Sequence, residues 1–518
     1  MLTPYEAVEK AVGEGKITAE EILKIEKEKT QKKTERLVHL IMEEIGAELF
    51  SDQFREAFIF VGNKIIKIRS KSFRKWLSYL AWSKTEEAVS SDVVQSVIGV
   101  LEGQCLYGEN AKQHCLFVRV ATWEGSIWYD LGNSKAVRID ENGWEVITNP
   151  PIIFRALAHQ KDQVLPVKDG NIMKLLKFIN IPEQEKGKLS DEQLLFLTSL
   201  VSKFIPGFPH PIDLFHGSQG SAKTTIAKIV KDLVDPSAIE ILSPTDDPRE
   251  FIQLASHHWL ISFDNLSRVS AQLSDALCRT ITGSGFSKRE LYSDDDDIIY
   301  NFQHTITING INLAAERGDL LDRSLIIELQ RLKFFRDEKK FWRDFEKVKP
   351  EILGAIFDLV SSALKHIWKV PSCEGLRLQD FARYGCAITR AIGYTDENFL
   401  MAYKKNILLG HEEAISASPV GLAIQRLMAD RVEWSGTPTE ALSVFNIIAM
   451  DRDFTVDTKS KMWPKDPRWL WRRIQEVRTN LEAKGIRVWK DREGEAREIH
   501  IETLTMPKKE ENDVMLSL

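Results

Sequence analysis

No apolar run in the 518 residues approaches the ~18 needed to cross a bilayer as a helix, so no membrane span is expected. The opening Met1–Lys10 has no basic region followed by an apolar one, and no secretory signal is expected either. Cysteine is sparse. Cys105, Cys115, Cys278, Cys373 and Cys386 include no CxxC pair, which argues against a structural zinc site and a disulfide framework and fits a reducing, cytoplasmic setting. His257 and His258 likewise lack metal-ligand spacing. No internal repeat is visible, and no carboxylate cluster suggests primase or nuclease chemistry. An excess of one charge is missing too. Lys and Arg number 70 against 76 Asp and Glu, a net of −6, so any nucleic-acid surface must be local. What is present is globular material, 43% hydrophobic and 28% charged, enough for several cores and about three domains.

Residues 1–50 read as an N-terminal helical segment. Thr18 and Glu21 have capping-box spacing, and Leu37, Leu40, Ile41 and Ile45 recur at helical intervals. A mixed α+β domain is expected over 51–170. Phe58–Val61, a Gly62-Asn63 turn and Lys64–Arg69 predict a hairpin there. Leu116–Val120, Ser126–Asp130, Ala136–Ile139 and Trp144–Ile147, punctuated by glycine and asparagine, predict a β meander. Residues 171–205 return to helix as a linker. Short apolar strands then alternate with helices over 206–335, the pattern of an α/β domain. A helical domain over 336–430 follows. Residues 431–505 form a small helical unit ending in a hairpin of Ile486–Trp489 and Glu498–Ile501, before a disordered tail over 506–518.

The strongest motif is Gly217-Ser218-Gln219-Gly220-Ser221-Ala222-Lys223-Thr224-Thr225. It follows the apolar strand Ile212–Phe215 and precedes the helix Ile226–Val230, as a phosphate-binding P-loop requires. Glycines let the backbone approach phosphates, and the loop amides with the helix N-terminus hold anionic oxygens. Lys223 is expected to reach the β- and γ-phosphates of ATP, and Thr224 to hold Mg²⁺. Ala222 stands where the motif usually has its second glycine, a position expected to be helical and tolerant of alanine.

A second carboxylate strand is needed, and Trp259–Asp264 supplies it 41 residues after Lys223. Asp264 is expected to hold Mg²⁺ through water. Asn265 follows, where many ATPases carry a catalytic glutamate; an asparagine orients a water but cannot take its proton. Asp264 and Asp275 are both open as the base. Thr305–Asn309 is a strand whose terminal amide suits the γ-phosphate. Arg323 precedes the strand Leu325–Leu329 and admits two readings: it completes a neighbouring subunit's site, or it pairs on the surface with Asp319 or Asp322.

The order of these elements resembles an AAA+ ATPase, with the compact spacing of superfamily 3 helicases and of phage and plasmid primase–helicases. More closely, Gly217–Thr225, Phe263–Ser267, Ser274–Arg279, Thr282–Phe286, Arg289–Tyr292, Asn309–Ile311 and Asp319–Arg323 resemble bacterial mobile-element ATPases that sit beside a primase-polymerase. The likeness runs from about Lys64 to Ile501. It implies a P-loop AAA+ core, with Asn309 as sensor and Arg323 as an arginine finger acting in trans within a ring, a hexamer. It also implies that Gly283–Tyr292 forms a hairpin gripping single-stranded DNA through Lys288 and Arg289. The adjacent acidic run Asp294–Asp297 would repel phosphate there.

Two local basic patches flank the core. Lys459–Arg497 holds twelve Lys and Arg against six acids, in a helix-then-hairpin order that suggests a winged-helix-like domain. Arg468, Arg472, Arg473 and Arg478 are its candidate phosphate contacts, and a solvated structural cap is the alternative. Lys64–Lys84 holds seven Lys and Arg and no acid. Lys71, Arg74 and Lys75 are candidate DNA contacts there, while its aromatics are expected in the core. The resulting expectation is a helicase or translocase for replication of a phage or mobile element. It binds single-stranded or forked DNA, forms a homo-oligomer and relies on a separate primase-polymerase. An origin-binding initiator or helicase loader, and a nucleotide-gated defence-type ATPase, are the rival readings.

Overall fold

The computed structural model describes residues 19–62, 64–184, 187–266, 269–289, 297–300, 303–310, 318–332, 334, 336–451, 456, 458–459, 462–491 and 497–504. Thr18, the Asp294–Asp296 part of the acidic run and the tail over 506–518 lie outside these residues. The chain divides into two compact units, one within Met1–Val118 and Asn149–Ala158, the other within Arg119–Thr148 and His159–Leu518. The stretch 51–170 is therefore shared between them. Among the described residues no helix is long and apolar enough to cross a membrane.

In the first unit, α1 (Ala19–His39) passes into a π-helical turn at Leu40–Glu44. Strands β1 (Glu48–Ser51), β2 (Ala57–Val61) and β3 (Lys64–Lys67) precede α2 (Lys71–Thr85), α3 (Ser91–Tyr107) and β4 (Lys112–Gln113). The sheet order is β3-β2-β1-β4. The expected hairpin is present: Val61 faces Lys64, and Gly62 takes φ +56°, which a glycine adopts without strain. The segment β5 (Leu116–Phe117) pairs in parallel with β10 (Ile153–Phe154). Helix α2 starts at Ser70, whose hydroxyl accepts the Phe73 N–H. Phe73, Leu77, Leu80 and Ala81 face the core and Trp76 is half-buried. Tyr79 and Trp82 do not join them. At 100° per residue they fall on the opposite side of the helix, so the expectation of buried aromatics fails at these two.

The second unit opens with the meander β6 (Val120–Trp123), β7 (Ser126–Gly132), β8 (Lys135–Asp140) and β9 (Gly143–Thr148), paired in that order. The run Leu116–Val120 is not one strand as expected. It breaks at Arg119, where φ is +61° and the side chain turns fully inside. Residues 171–205 are also less helical than expected. A 3-10 turn spans Ile172–Phe178, and α4 covers only Asp191–Ser202, because Pro182 forces extended backbone before it.

The centre of this unit is a parallel sheet. It contains β11 (Ile212–His216), β12 (Leu260–Phe263), β15 (Thr305–Asn309) and β16 (Ser324–Glu328), in the order β12-β15-β11-β16. Leu242 adds a parallel bridge to Phe263 beyond β12. Helix α5 (Lys223–Val234) follows β11, α6 (Pro248–His257) precedes β12, and α7 (Ala271–Thr282) leads into the antiparallel pair β13 (Phe286–Arg289) and β14 (Asp297–Tyr300). Beyond β16 lie α8 (Glu338–His366), α9 (Gln379–Ile392) and α10 (Asp396–Ser416). Gly354 on α8 lets residue 167 approach so closely that a Cβ would stand 1.7 Å from the Val167 carbonyl oxygen. From α10 the buried Asn406 side chain reaches strand β16. Its oxygen accepts the Ile326 N–H at 3.0 Å and its nitrogen donates to the Ile326 carbonyl at 2.6 Å.

The last segment packs α11 (Pro419–Met428), β17 (Glu433–Gly436), α12 (Pro438–Ala449), α13 (Pro467–Ala483), β18 (Ile486–Lys490) and β19 (Ile499–Thr503) around one core. Its sheet is antiparallel, in the order β17-β19-β18. Leu470, Ile474, Val477 and Leu481 form the inner stripe of α13, Trp471 packs against it and Trp469 faces outward.

A buried ionic hub joins these parts. Asp235, just past the end of α5, is 1% exposed. Its carboxylate accepts Lys231 Nζ at 2.7 Å, Arg119 Nε at 3.3 Å, and the backbone N–H groups of Trp259 and Leu260 at 3.1 and 3.2 Å. Burial alone would raise this carboxyl, but Lys231, His258 and Arg119 hold it well below the usual range. Asp235→Ala is expected to lower stability by about 3–5 kcal/mol, because two buried cations lose their counter-charge; a urea titration of the full chain reads this. Burial also holds His258 and His304 down to about 4 and His210 to about 3. Below pH ~6.5 the unfolded chain therefore binds protons that the folded one refuses. Stability should fall as pH drops from 6.5 toward 4, by up to about 1.4 kcal/mol per pH unit for each histidine, seen as a lower urea midpoint at pH ~5 than at pH ~7.

Candidate functional site

The glycine-rich loop leaves the carboxyl end of β11 and enters α5, at the sheet edge where open α/β folds bind ligands. The loop is tightly held. Gly217 sits at φ +151°, and a Cβ there would stand 2.5 Å from the Leu329 carbonyl oxygen and 2.8 Å from Ser221 Oγ. The Leu332 N–H donates to the Gly220 carbonyl at 3.1 Å. Gly220 takes φ +81°. Ala222 is not helical as expected. It caps α5 at φ +66°, ψ +29°, the left-handed region that explains why glycine usually stands there.

Lys223 folds back over the loop, donating to the carbonyls of Gly217 at 2.7 Å and Ser218 at 3.0 Å. Partial burial lowers its ammonium from the usual value, and Asp264 opposes that shift. Thr224 Oγ1 lies 3.4 Å from both carboxylate oxygens of Asp264, so the loop hydroxyl and the strand-end acid meet across the sheet edge. Ser221 Oγ is buried with no hydrogen-bond partner among the described residues.

Asn265 takes φ +51° and its N–H donates to Asn309 Oδ1 at 2.7 Å, while the Leu266 N–H donates to the Asn309 carbonyl at 3.1 Å. Asparagine tolerates this left-handed backbone better than glutamate, which gives a physical reason for the residue found here. Asn309 is 1% exposed and its Nδ2 has no partner among the described residues. An orphaned donor next to the carboxylate is a place where an anionic oxygen or a water fits. Asp275 is exposed on α7. The residues thus suit a polyphosphate with a divalent cation: amides and Lys223 for the anion, Thr224 and Asp264 for the metal.

Beside the loop opens a cleft of about 570 Å³. Ala222, Thr224, Thr225 and Lys228 line one side, and Phe178, Phe341 and Trp342 the other. Phe178 and Phe341 meet edge-on at 5.5 Å between ring centres. The sequence reading missed this aromatic wall, since no local spacing ties residue 178 to residues 341 and 342.

Arg323 lies elsewhere. β11 and β16 run in parallel register from Ile212↔Ser324 to His216↔Glu328, so Arg323 stands at the opposite sheet edge, about 16 Å from its own loop. Its guanidinium pairs with Asp319, which also takes Arg377 at 2.6 Å, while Arg377 reaches Asp322 at 2.9 Å. Lys288 and Arg289 are on β13, where Arg289 pairs in register with Asp297. In the last segment Arg472 and Arg478 are exposed, and Arg472 lies 5.3 Å over the Trp469 ring. Arg473 is bound to Glu476 at 2.9 Å and is not a free cation. Lys71, Arg74 and Lys75 are exposed on α2.

The left-handed backbone at residue 222 makes a stability prediction. Ala222→Gly should leave the melting temperature nearly unchanged, since relief of about 1 kcal/mol of strain is offset by glycine's chain entropy. Ala222→Val should lose about 1–2 kcal/mol, because a β-branched residue resists positive φ. Thermal melts of the two variants against the parent test the order.

No curated protein matches the sequence. Among solved structures, the SCCmec type IV Cch active helicase aligns at 12% identity and TM-score 0.45, over 88% of this chain and 93% of that one. The apo C-terminal region of NrS-1 aligns at 11% identity and TM-score 0.39, over 90% and 99%. Residues 420–512 match the model of the AICE RepA C-terminal domain. Residues 172–407, which hold the loop, Asp264, Asn309 and Arg323, are similar to the actinomycete integrative conjugative element replication protein, whose family model they match.

Proposed function

We propose that the chain is an ATP-driven DNA helicase or translocase in the replication of a mobile genetic element or phage, built on a P-loop AAA+ core with a winged-helix-like C-terminal domain. The observation that carries this is the meeting of Thr224 and Asp264 beside the glycine-rich loop, where Ser221 Oγ and Asn309 Nδ2 have no partner among the described residues. The matched replication-protein model supports the biological setting.

Bound Mg-ATP supplies the phosphoanhydride that is cleaved. The loop amides of 217–222 and the α5 N-terminus hold its anionic oxygens. Lys223 leaves the Gly217 and Ser218 carbonyls for the phosphates, and Thr224 with Asp264 holds the cation. Phe178, Phe341 and Trp342 pack the base and exclude water. Asn309 Nδ2 and Asn265 orient water and γ-phosphate without accepting a proton, and the base is Asp264 or Asp275. Because Arg323 is about 16 Å from its own loop, it serves the site of a neighbouring subunit in a ring, a hexamer, once released from Asp319. The β13–β14 hairpin carries Lys288 and Arg289 to DNA, and Arg472 and Arg478 add a second basic contact. A separate primase-polymerase supplies priming.

An origin-binding initiator or loader is the second reading. Asn265, where a glutamate is usual, favours a slow ATPase used as a switch. ATP hydrolysis by purified protein, with and without single-stranded DNA, tests the proposal. Stimulation by DNA is expected, and Lys223→Ala should abolish hydrolysis. Mixing Lys223→Ala with Arg323→Ala protein should restore part of the activity if the arginine acts in trans. Hydrolysis indifferent to DNA would instead favour a nucleotide-gated ATPase.

A further inference from the structure

Helix α2 of the first unit shows two opposed faces. Phe73, Leu77, Leu80 and Ala81 fill the core. The other face carries Lys71, Arg74, Lys75, Tyr79 and Trp82 within about 140° of arc. Tyr79 is 71% exposed and Trp82 is 59% exposed. Large rings left in water at such levels on one helix face, flanked by cations, form an apolar and basic surface that no other described residue covers.

The charge on this face is uncompensated. No acid occurs from Lys64 to Lys84. Among the described residues no carboxylate pairs with Lys71, Lys75 or Arg74. With the Gln95 amide turned so that its oxygen faces the helix, Arg74 donates to it at 2.7 Å, and a neutral partner leaves the positive charge in place. Nearby acids are engaged elsewhere: Glu87 with Lys33 at 2.9 Å, and Glu102 with Arg69 at 2.6 Å. Glu86 sits past the end of the helix at its C-cap.

The geometry points to a single-strand nucleic-acid platform on this face, in which bases stack on Tyr79 and Trp82 and Lys71 and Lys75 hold phosphates. From Lys71 to Trp82 the stripe is about 16 Å long, so cations at one end and rings at the other follow one strand. Duplex bases are already stacked and offer no free faces to the rings, so single strands are favoured. The inference rests on the proposed DNA role and adds a site outside the ATPase core.

The test uses the full chain without nucleotide, titrated with labelled oligothymidylate. Tyr79→Ala and Trp82→Ala should each weaken binding about five- to hundredfold, and Trp82→Phe should retain most of it. The double variant Lys71→Ala/Lys75→Ala should reduce the salt slope by about 1.4. Bromodeoxyuridine photocrosslinks should map to Tyr79 or Trp82. The rings are exposed, so thermal melts of these variants should match the parent. Parent-like affinity in both alanine variants, with crosslinks only on the β13–β14 hairpin or the C-terminal segment, would overturn this platform and leave the DNA motor standing; an acidic protein partner on this face would give that result. Failure of the parent chain to bind oligothymidylate at all would overturn both.

Discussion

The buried carboxylate of Asp235 fixes the candidate site from behind. It closes the far end of α5, the helix that begins with Lys223 and Thr224, and takes two N–H groups from the start of β12, the strand that ends at Asp264. Thr224 and Asp264 are thus the free ends of two rigid elements pinned at their other ends to one anion. Arg119 brings the meander to the same point, donating also to the carbonyls of Asp130, Lys161 and Pro236. A buried ion pair of this kind adds little net stability by itself, since desolvation opposes attraction. Its value here lies in direction: several donors converge on one acceptor, and only one mutual placement satisfies them all.

Much of this was legible in the sequence, and the legible part was local. The loop, its strand and its helix are contiguous, and a glycine-rich stretch with Lys223 and Thr224 announces itself. Asp264 and Asn309 are polar residues that close apolar runs, which marks them as strand-end candidates in the sequence. The hub was not legible: Arg119, Lys231, Asp235 and Trp259 are scattered over about 140 residues, and each alone looks like a surface or turn residue. The apolar neighbours of Arg119 suggest a continuous strand; the demand for an inward guanidinium breaks it there. The aromatic wall of Phe178, Phe341 and Trp342 was hidden for the same reason. For Tyr79 and Trp82 composition misleads, since aromatics usually fill cores, although helical phase already sets them opposite Phe73 and Leu77.

Two non-glycine residues of the candidate site, Ala222 and Asn265, hold left-handed backbone. Each stands where related motifs use a different residue, and in each the backbone explains part of the choice. At Ala222 the penalty is accepted in place of glycine, which stiffens the entry to α5. At Asn265 the conformation aims the N–H at Asn309 and links the carboxylate strand to its neighbour through a side-chain amide.

The paired hydrogen bonds from Asn406 to Ile326 bear on where the chain can be cut. β16 is the outermost strand of the parallel sheet, and an unprotected outer strand invites another chain to add itself. Asn406 occupies both backbone groups of the residue at its centre. A fragment ended after the last sheet strand would look like a complete nucleotide-binding module, yet it would carry a bare, adhesive margin. The smallest piece that closes its own border must include α10, and the stretch matched by the replication-protein model ends just beyond Asn406.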